Sequence, residues 1–193
     1  MLSKFKALSS SHAQRGYTID QTILIVAVIA ILVTMIIGSV GWDLLSRASG
    51  TKLSSHLKQI ETANGQFFAT HAVWPDEAAA TPNPVNNFKV LVSQNALAAQ
   101  YRPAFKDMLP AYDGNVSGAI QHSFGSGGDI TMERQELDNQ TYLVITMKGI
   151  PRQEYEEADS KMDGKVDQNA GRLRAVPASS TTVDISYYAN VVN

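Results

Sequence analysis

The sequence predicts an α+β protein in which a long N-terminal helix packs on a small antiparallel β-sheet. Three patterns carry that expectation. Residues 21–42 bear no formal charge, and 23–40 read ILIVAVIAILVTMIIGSV. Beyond them Leu53, Leu57, Ile60, Asn64 and Phe67 recur at 4-3-4-3 spacing, the period of one helix face. Toward the C-terminus Leu143, Ile145 and Met147 alternate with Tyr142, Val144 and Thr146, the period of a half-buried strand. Val183, Ile185 and Tyr187 alternate in the same way.

The apolar run comes first. At ~1.5 Å per residue it would cross the ~30 Å hydrocarbon core of a bilayer. The whole chain is 44% apolar and 18% charged, an ordinary globular mixture, so the run is a local extreme. Lys4, Lys6 and Arg15 precede it with no acid among residues 1–16. A basic flank before an apolar helix keeps the N-terminus cytoplasmic and sends the remainder across. The expected organisation is a leader over 1–16, a transmembrane and assembly helix over 17–42, and an extracytoplasmic domain over 43–193. The net charge of −2 argues neither for nor against a nucleic-acid partner, and none is predicted. The chain has no cysteine, which excludes structural disulfides and thiolate metal sites and leaves the redox compartment open.

An ordinary secretory signal does not describe this N-terminus. Such signals have an apolar region of about 7–15 residues followed by a small-residue cleavage site. Here the run is longer, and the informative residues precede it: Gln14, Arg15, Gly16, Tyr17, Thr18, Ile19, Asp20 and Gln21. This segment resembles the N-terminus of type IV prepilins and related pseudopilins. In that family a basic leader ends in Gly, an aromatic residue and Thr-Leu-Ile-Glu follow, and an unbroken apolar helix begins. The resemblance covers about residues 15–45 and is looser downstream.

The resemblance implies cleavage between Gly16 and Tyr17 by a prepilin peptidase, N-methylation of Tyr17, and polymerisation through the apolar helix. It also implies other pilins as partners, together with an inner-membrane assembly platform and its ATPase. The protein would be held in the inner membrane as a single-pass precursor and then move into an extracellular or periplasmic filament, either a fimbrium or a secretion pseudopilus. Gln21 stands where the family has its glutamate, and Asp20 lies one place earlier. The family's acid offsets the N-terminal amine of a neighbouring subunit; Asp20 either takes that role or the subunit assembles without it. The family's helix-breaking proline is absent, with Gly38 in the run instead, and the C-terminal disulfide loop of many pilins is missing.

The stripe after the membrane suits a helix docked on its own domain, or a homodimeric coiled coil. Leu45 and Phe68 lie near it, Lys52, Lys58 and Glu61 off it, and Pro75 is a natural stop. Gly38, Gly41, Gly50 and Gly65 are candidate soft points. Residues 75–87 read as a loop, and a short helix through Phe88, Leu91 and Val92 follows, with an apolar patch reaching Leu109. Strands are expected over 130–134 and 141–147, joined by a turn around Asp138 and Asn139. A helix follows Pro151 and ends before Gly164, and a final strand carries Val183.

Candidate chemistry is sparse. Asp159, Asp163 and Asp167 surround Gly164, a pattern in which carboxylates can converge on calcium, with Asp163 and Asp167 as ligands. Lys161 takes a ligand-type position and no acid sits at the twelfth place, so the EF-hand match is poor; the competing reading is a helix end and a polar turn. The stretch Asp163, Gly164, Asp167, Gly171, Arg174 also resembles an element of some pilin-like proteins. The Gly-rich 124–129 lacks the Lys-Ser/Thr of a phosphate loop. His12, His56, His71 and His122 form no ligand motif and read as solvated. Asn115 and Asn139 match glycosylation sequons. No catalytic set is present, so no enzyme and no cofactor other than calcium is predicted. The alternative to a filament subunit is a single-pass anchored binding or sensor module that does not polymerise.

Overall fold

A computed structural model describes residues 19–192, with the side chains of 20 and 36–47 left out. The chain divides into two compact units, Met1–Asp43 and Leu44–Asn193. The first helix, α1 (Ile19–His71), contributes residues to both. In the second unit come α2 (Pro75–Ala78), α3 (Pro84–Lys89), β1 (Ile120–His122), β2 (Gly128–Leu137), β3 (Gln140–Pro151), α4 (Arg152–Asp163), β4 (Leu173–Pro177) and β5 (Thr182–Val191). The strands form one antiparallel sheet in the order β1-β2-β3-β5-β4. The α+β class and the small antiparallel sheet are therefore as expected.

The helical stripe is the organising feature of this unit. Leu53, Leu57, Ile60, Asn64 and Phe67 are all fully or almost fully buried. The stripe's four apolar members share one cluster with Leu143, Ile145, Met147, Ile185 and Tyr187, the inward-facing residues of β3 and β5. Asn64, the one polar member of the stripe, meets Asn190 of β5 at 3.2 Å, so its burial comes with a partner. The docked helix, and not a coiled coil, is what buries the stripe. Phe68 departs from the expectation: it is exposed and stacks on Trp74 with ring centroids 4.6 Å apart.

The turn chemistry follows the sequence. Asp138 and Asn139 connect β2 to β3 with φ of 52° and 61°. Short polar side chains tolerate that left-handed region best, and two such residues match the twist of a tight hairpin. Gly164 ends α4 at φ 81°, its N–H reaching the Ser160 carbonyl.

Three expectations need correction. Residues 75–87 are not wholly loop: Pro75 opens α2 and Pro84 opens α3, where a fixed φ suits the first helical position. Asn83 caps α3 by accepting from the Val85 and Asn86 amides. The strands β1 and β4, of 3 and 5 residues, are too short to show a period, and both are edges held by a longer neighbour. Gly50 is a close crossing and not a soft point: a Cβ there would overlap Glu157 Cβ on α4 and lie 3.0 Å from the Glu154 carbonyl oxygen. At Gly65 a Cβ would meet nothing within 4 Å, and Gly38 and Gly41 fall among positions whose side chains lie outside those described.

Candidate functional site

Within the first unit, the described part of α1 presents apolar side chains on every side. Ile19, Ile23, Leu24, Ile25, Val26, Val28, Ile29, Ile31, Leu32, Val33 and Met35 are 44–80% exposed. Charge is absent from 21 to 35, and Thr34 returns its hydroxyl to the Ala30 carbonyl at 2.8 Å. A helix that is apolar all round has no face suited to water. Among the described residues no helix is long and apolar enough to cross a membrane. The described side chains stop at Met35, ~25 Å from Ile19 at helical rise, and 36–42 of the apolar run lie beyond them.

Several expected site residues fall outside what is described. Gly16 and Tyr17, the cleavage and methylation positions, lie there with the whole leader, and so does His12. Asp20 is helical in α1, but its side chain is not described; Gln21 is an exposed residue of the same turn.

The acidic turn is described in full, and its carboxylates serve the backbone. Asp159 is fully buried on α4. Its Oδ2 accepts from the Tyr155 hydroxyl at 3.0 Å and from the Asp167 amide at 2.8 Å, while Oδ1 has no partner. Asp163 Oδ2 accepts from the Leu173 amide at 3.0 Å, tying α4 to β4. Asp167 Oδ1 accepts from the Asn169 amide at 3.1 Å. Burial first, and the neighbouring Asp163 after it, hold the Asp159 carboxyl above the usual carboxylate range. Asp167 is held below its usual range, chiefly by the Asn169 amide. Among the described residues no group of three or more His, Cys, Asp or Glu is arranged to hold a metal ion. Arg174 lies over the Tyr188 ring at 5.2 Å, its Nε donating to the Gly171 carbonyl.

Two of the histidines, His56 and His122, are not solvated as expected. His122 is 4% exposed. Its Nε2 meets the Lys148 carbonyl at 2.7 Å and its Nδ1 accepts from the Phe124 amide at 3.2 Å, which puts the proton of the neutral ring on Nε2. His56 bonds the Tyr112 hydroxyl at 2.5 Å and packs beside Phe124. Burial, before any other cause, pushes both histidines below their usual range. The Gly-rich 124–129 thus begins with a ring seated between these histidines.

A second cluster was missed in the sequence. Glu61, placed off the stripe by spacing, receives the Tyr187 hydroxyl at 2.5 Å and pairs with Arg172 at 2.8 Å and with Lys58 at 3.2 Å. Arg172 also donates to the carbonyls of Tyr188 and Ala189. Burial opposes ionisation of Glu61, but Arg172, Tyr187 and Lys58 together hold it below the usual carboxylate range. The cluster fastens α1 to the β4–β5 edge. Its residues lie over a hundred positions apart, so no local pattern announces it.

No family model, no curated protein and no solved structure matches the chain.

Proposed function

We propose that this chain is the structural subunit of a type IV pilus or a secretion pseudopilus, polymerising through its N-terminal helix. The observation that carries the reading is the exposed apolar surface of α1 over 23–35, a few residues after Gly16, Tyr17 and Thr18. Such a surface is stable among lipid chains and equally among copies of itself. Transfer from a bilayer to a helical bundle then exposes little apolar area to water.

In this reading the precursor sits in the inner membrane with its N-terminus cytoplasmic. A prepilin peptidase cuts after Gly16, Tyr17 is methylated, and a platform protein with its ATPase extracts the subunit. The partners are copies of this chain and other pilins. N-terminal mass determination on membrane-extracted protein tests the processing step: the expected mature chain starts at Tyr17 and carries one methyl group. An intact Met1, or a start beyond Gly41, overturns it.

A second reading draws on Gln21, which stands where the family's acid is expected: an anchored binding or sensor module that stays in the membrane. Shearing cells and assaying the supernatant for the protein separates the two. Release as high-mass filaments supports polymerisation, and retention of processed protein in the membrane supports the anchored module.

A further inference from the structure

Lys89, in the last turn of α3, is only 9% exposed, yet no carboxylate pairs with it among the described residues. Its protein partner is the Val116 carbonyl, 2.7 Å from Nζ. Buried ammonium groups are ordinarily matched by an anion, because desolvating an unpaired charge is costly. Here the remaining N–H groups have a cleft of about 280 Å³, lined also by Asn86, Ser93, Asn95, Gly114, Asn115 and Ser117.

The cleft has a local origin. Asn83 starts α3 so that Asn86 and Lys89 fall one turn apart. Gly114 lets the 113–117 segment lie flush on the chain that leaves α3: a Cβ there would overlap the Val92 carbonyl oxygen and come within 3.0 Å of Ser93 Cβ. The acid of that segment, Asp113, turns its carboxylate to the Asn115 amide at 2.9 Å and does not line the cleft.

The polar lining is therefore one cation with neutral amides and hydroxyls, beside Ala96, Gly114 and Val116. The side chains of Ser93, Asn95, Asn115 and Ser117 have no protein hydrogen-bond partner among the described residues, so their donors are unspent. A cofactor pocket is typically larger and mostly apolar. Convergent donors around an ammonium suit a compact anion with lone pairs to fill.

We propose that this cleft binds a small oxyanion, the carboxylate or phosphate group of a polar ligand, with the Lys89 ammonium as its charge partner and Asn95, Asn115 and Ser117 as donors. The site belongs to the Leu44–Asn193 unit and stands whether or not the chain polymerises.

The test is a titration of isotope-labelled full chain in non-ionic detergent micelles, at constant chloride, with inorganic phosphate, glucuronate and glucose in separate arms. The backbone amides of Asn95, Gly114 and Asn115 are expected to shift saturably with phosphate, glucuronate or both, and not with glucose. The tighter of the two anions identifies the source of the oxyanion. Asn95→Asp places a carboxylate in the cleft at an exposed position and is expected to weaken binding at least about tenfold with the melting temperature unchanged. Lys89→Gln is expected to abolish it. Absence of saturable shifts with both anions, equal response to glucose, or unchanged affinity in Asn95→Asp overturns the proposal.

Discussion

The two glycines of α1 in the second unit provide the sharpest test of how the helix is packed. Replacing glycine by alanine inside a helix removes backbone entropy from the unfolded chain and gains roughly 0.5–1 kcal/mol. At Gly65 an added Cβ meets nothing within 4 Å, so that gain should survive intact. At Gly50 the same methyl group overlaps Glu157 Cβ, lies 3.0 Å from the Glu154 carbonyl oxygen and 3.3 Å from the Ala158 nitrogen. These are Cβ and main-chain atoms of α4, not the tip of a flexible side chain, so relief requires the two helices to part. Overpacking costs about 1–3 kcal/mol, and backbone obstacles put this case near the upper end. After the intrinsic gain, Gly50→Ala should destabilise by about 2 kcal/mol. For a domain of this size that is a fall of roughly 4–8 °C in melting temperature, against a rise of roughly 1–4 °C for Gly65→Ala. Far-ultraviolet circular dichroism melts of the full chain in one detergent measure both. If Gly50→Ala melts at or above the wild-type temperature, α4 does not press on α1 at this point and the crossing is wrong.

Three further outcomes follow, two from the acidic turn and the last from the proposed function. Asp159→Asn keeps an acceptor for Tyr155 and Asp167 and removes a charge that burial disfavours, so its stability relative to the wild type should improve as pH rises. Because the folded carboxyl of Asp159 is held above its unfolded value of 3.8, its favourable contribution is present below that value and is lost as pH rises through the folded one. The melting advantage of Asp159→Asn should thus vanish near pH 4 and grow toward neutrality, and an advantage independent of pH would refute it. Calcium in millimolar excess should move the melting temperature by less than about 1 °C, since Asp163 and Asp167 already accept backbone amides; a larger rise, removed by Asp163→Asn, would establish a cation site at the turn. Asp20→Asn should leave cleavage after Gly16 intact and block recovery in the sheared-filament fraction, and adding Gln21→Glu should restore it, because the ammonium of Tyr17 needs an anion beside the apolar core. Normal filament yield from Asp20→Asn alone would dismiss charge compensation by this residue.

What the sequence determined by itself was whatever depends on neighbours along the chain. Five stripe positions of α1 repeat every three or four residues, and all five are buried, because a helix face is a local property. The alternation in β3 and β5, the Asp138–Asn139 turn and the Gly164 stop were legible for the same reason. The all-round apolar run from 21 onward needed only composition. The tertiary structure decided what depends on distant residues meeting. Phe68 fits the spacing but rests on Trp74, outside the core. His122 and His56 read as solvated until β1, β3 and the 112 region close around them. Glu61 looks like a surface charge until Arg172 and Tyr187 arrive from the far end of the chain. Lys89 looks like any helical lysine until the loop carrying Gly114 closes over it, with no carboxylate paired to it among the described residues. Burial and charge compensation are sums over atoms brought together by the fold, and a one-dimensional pattern carries only the part of each sum contributed within a few turns of helix or strand.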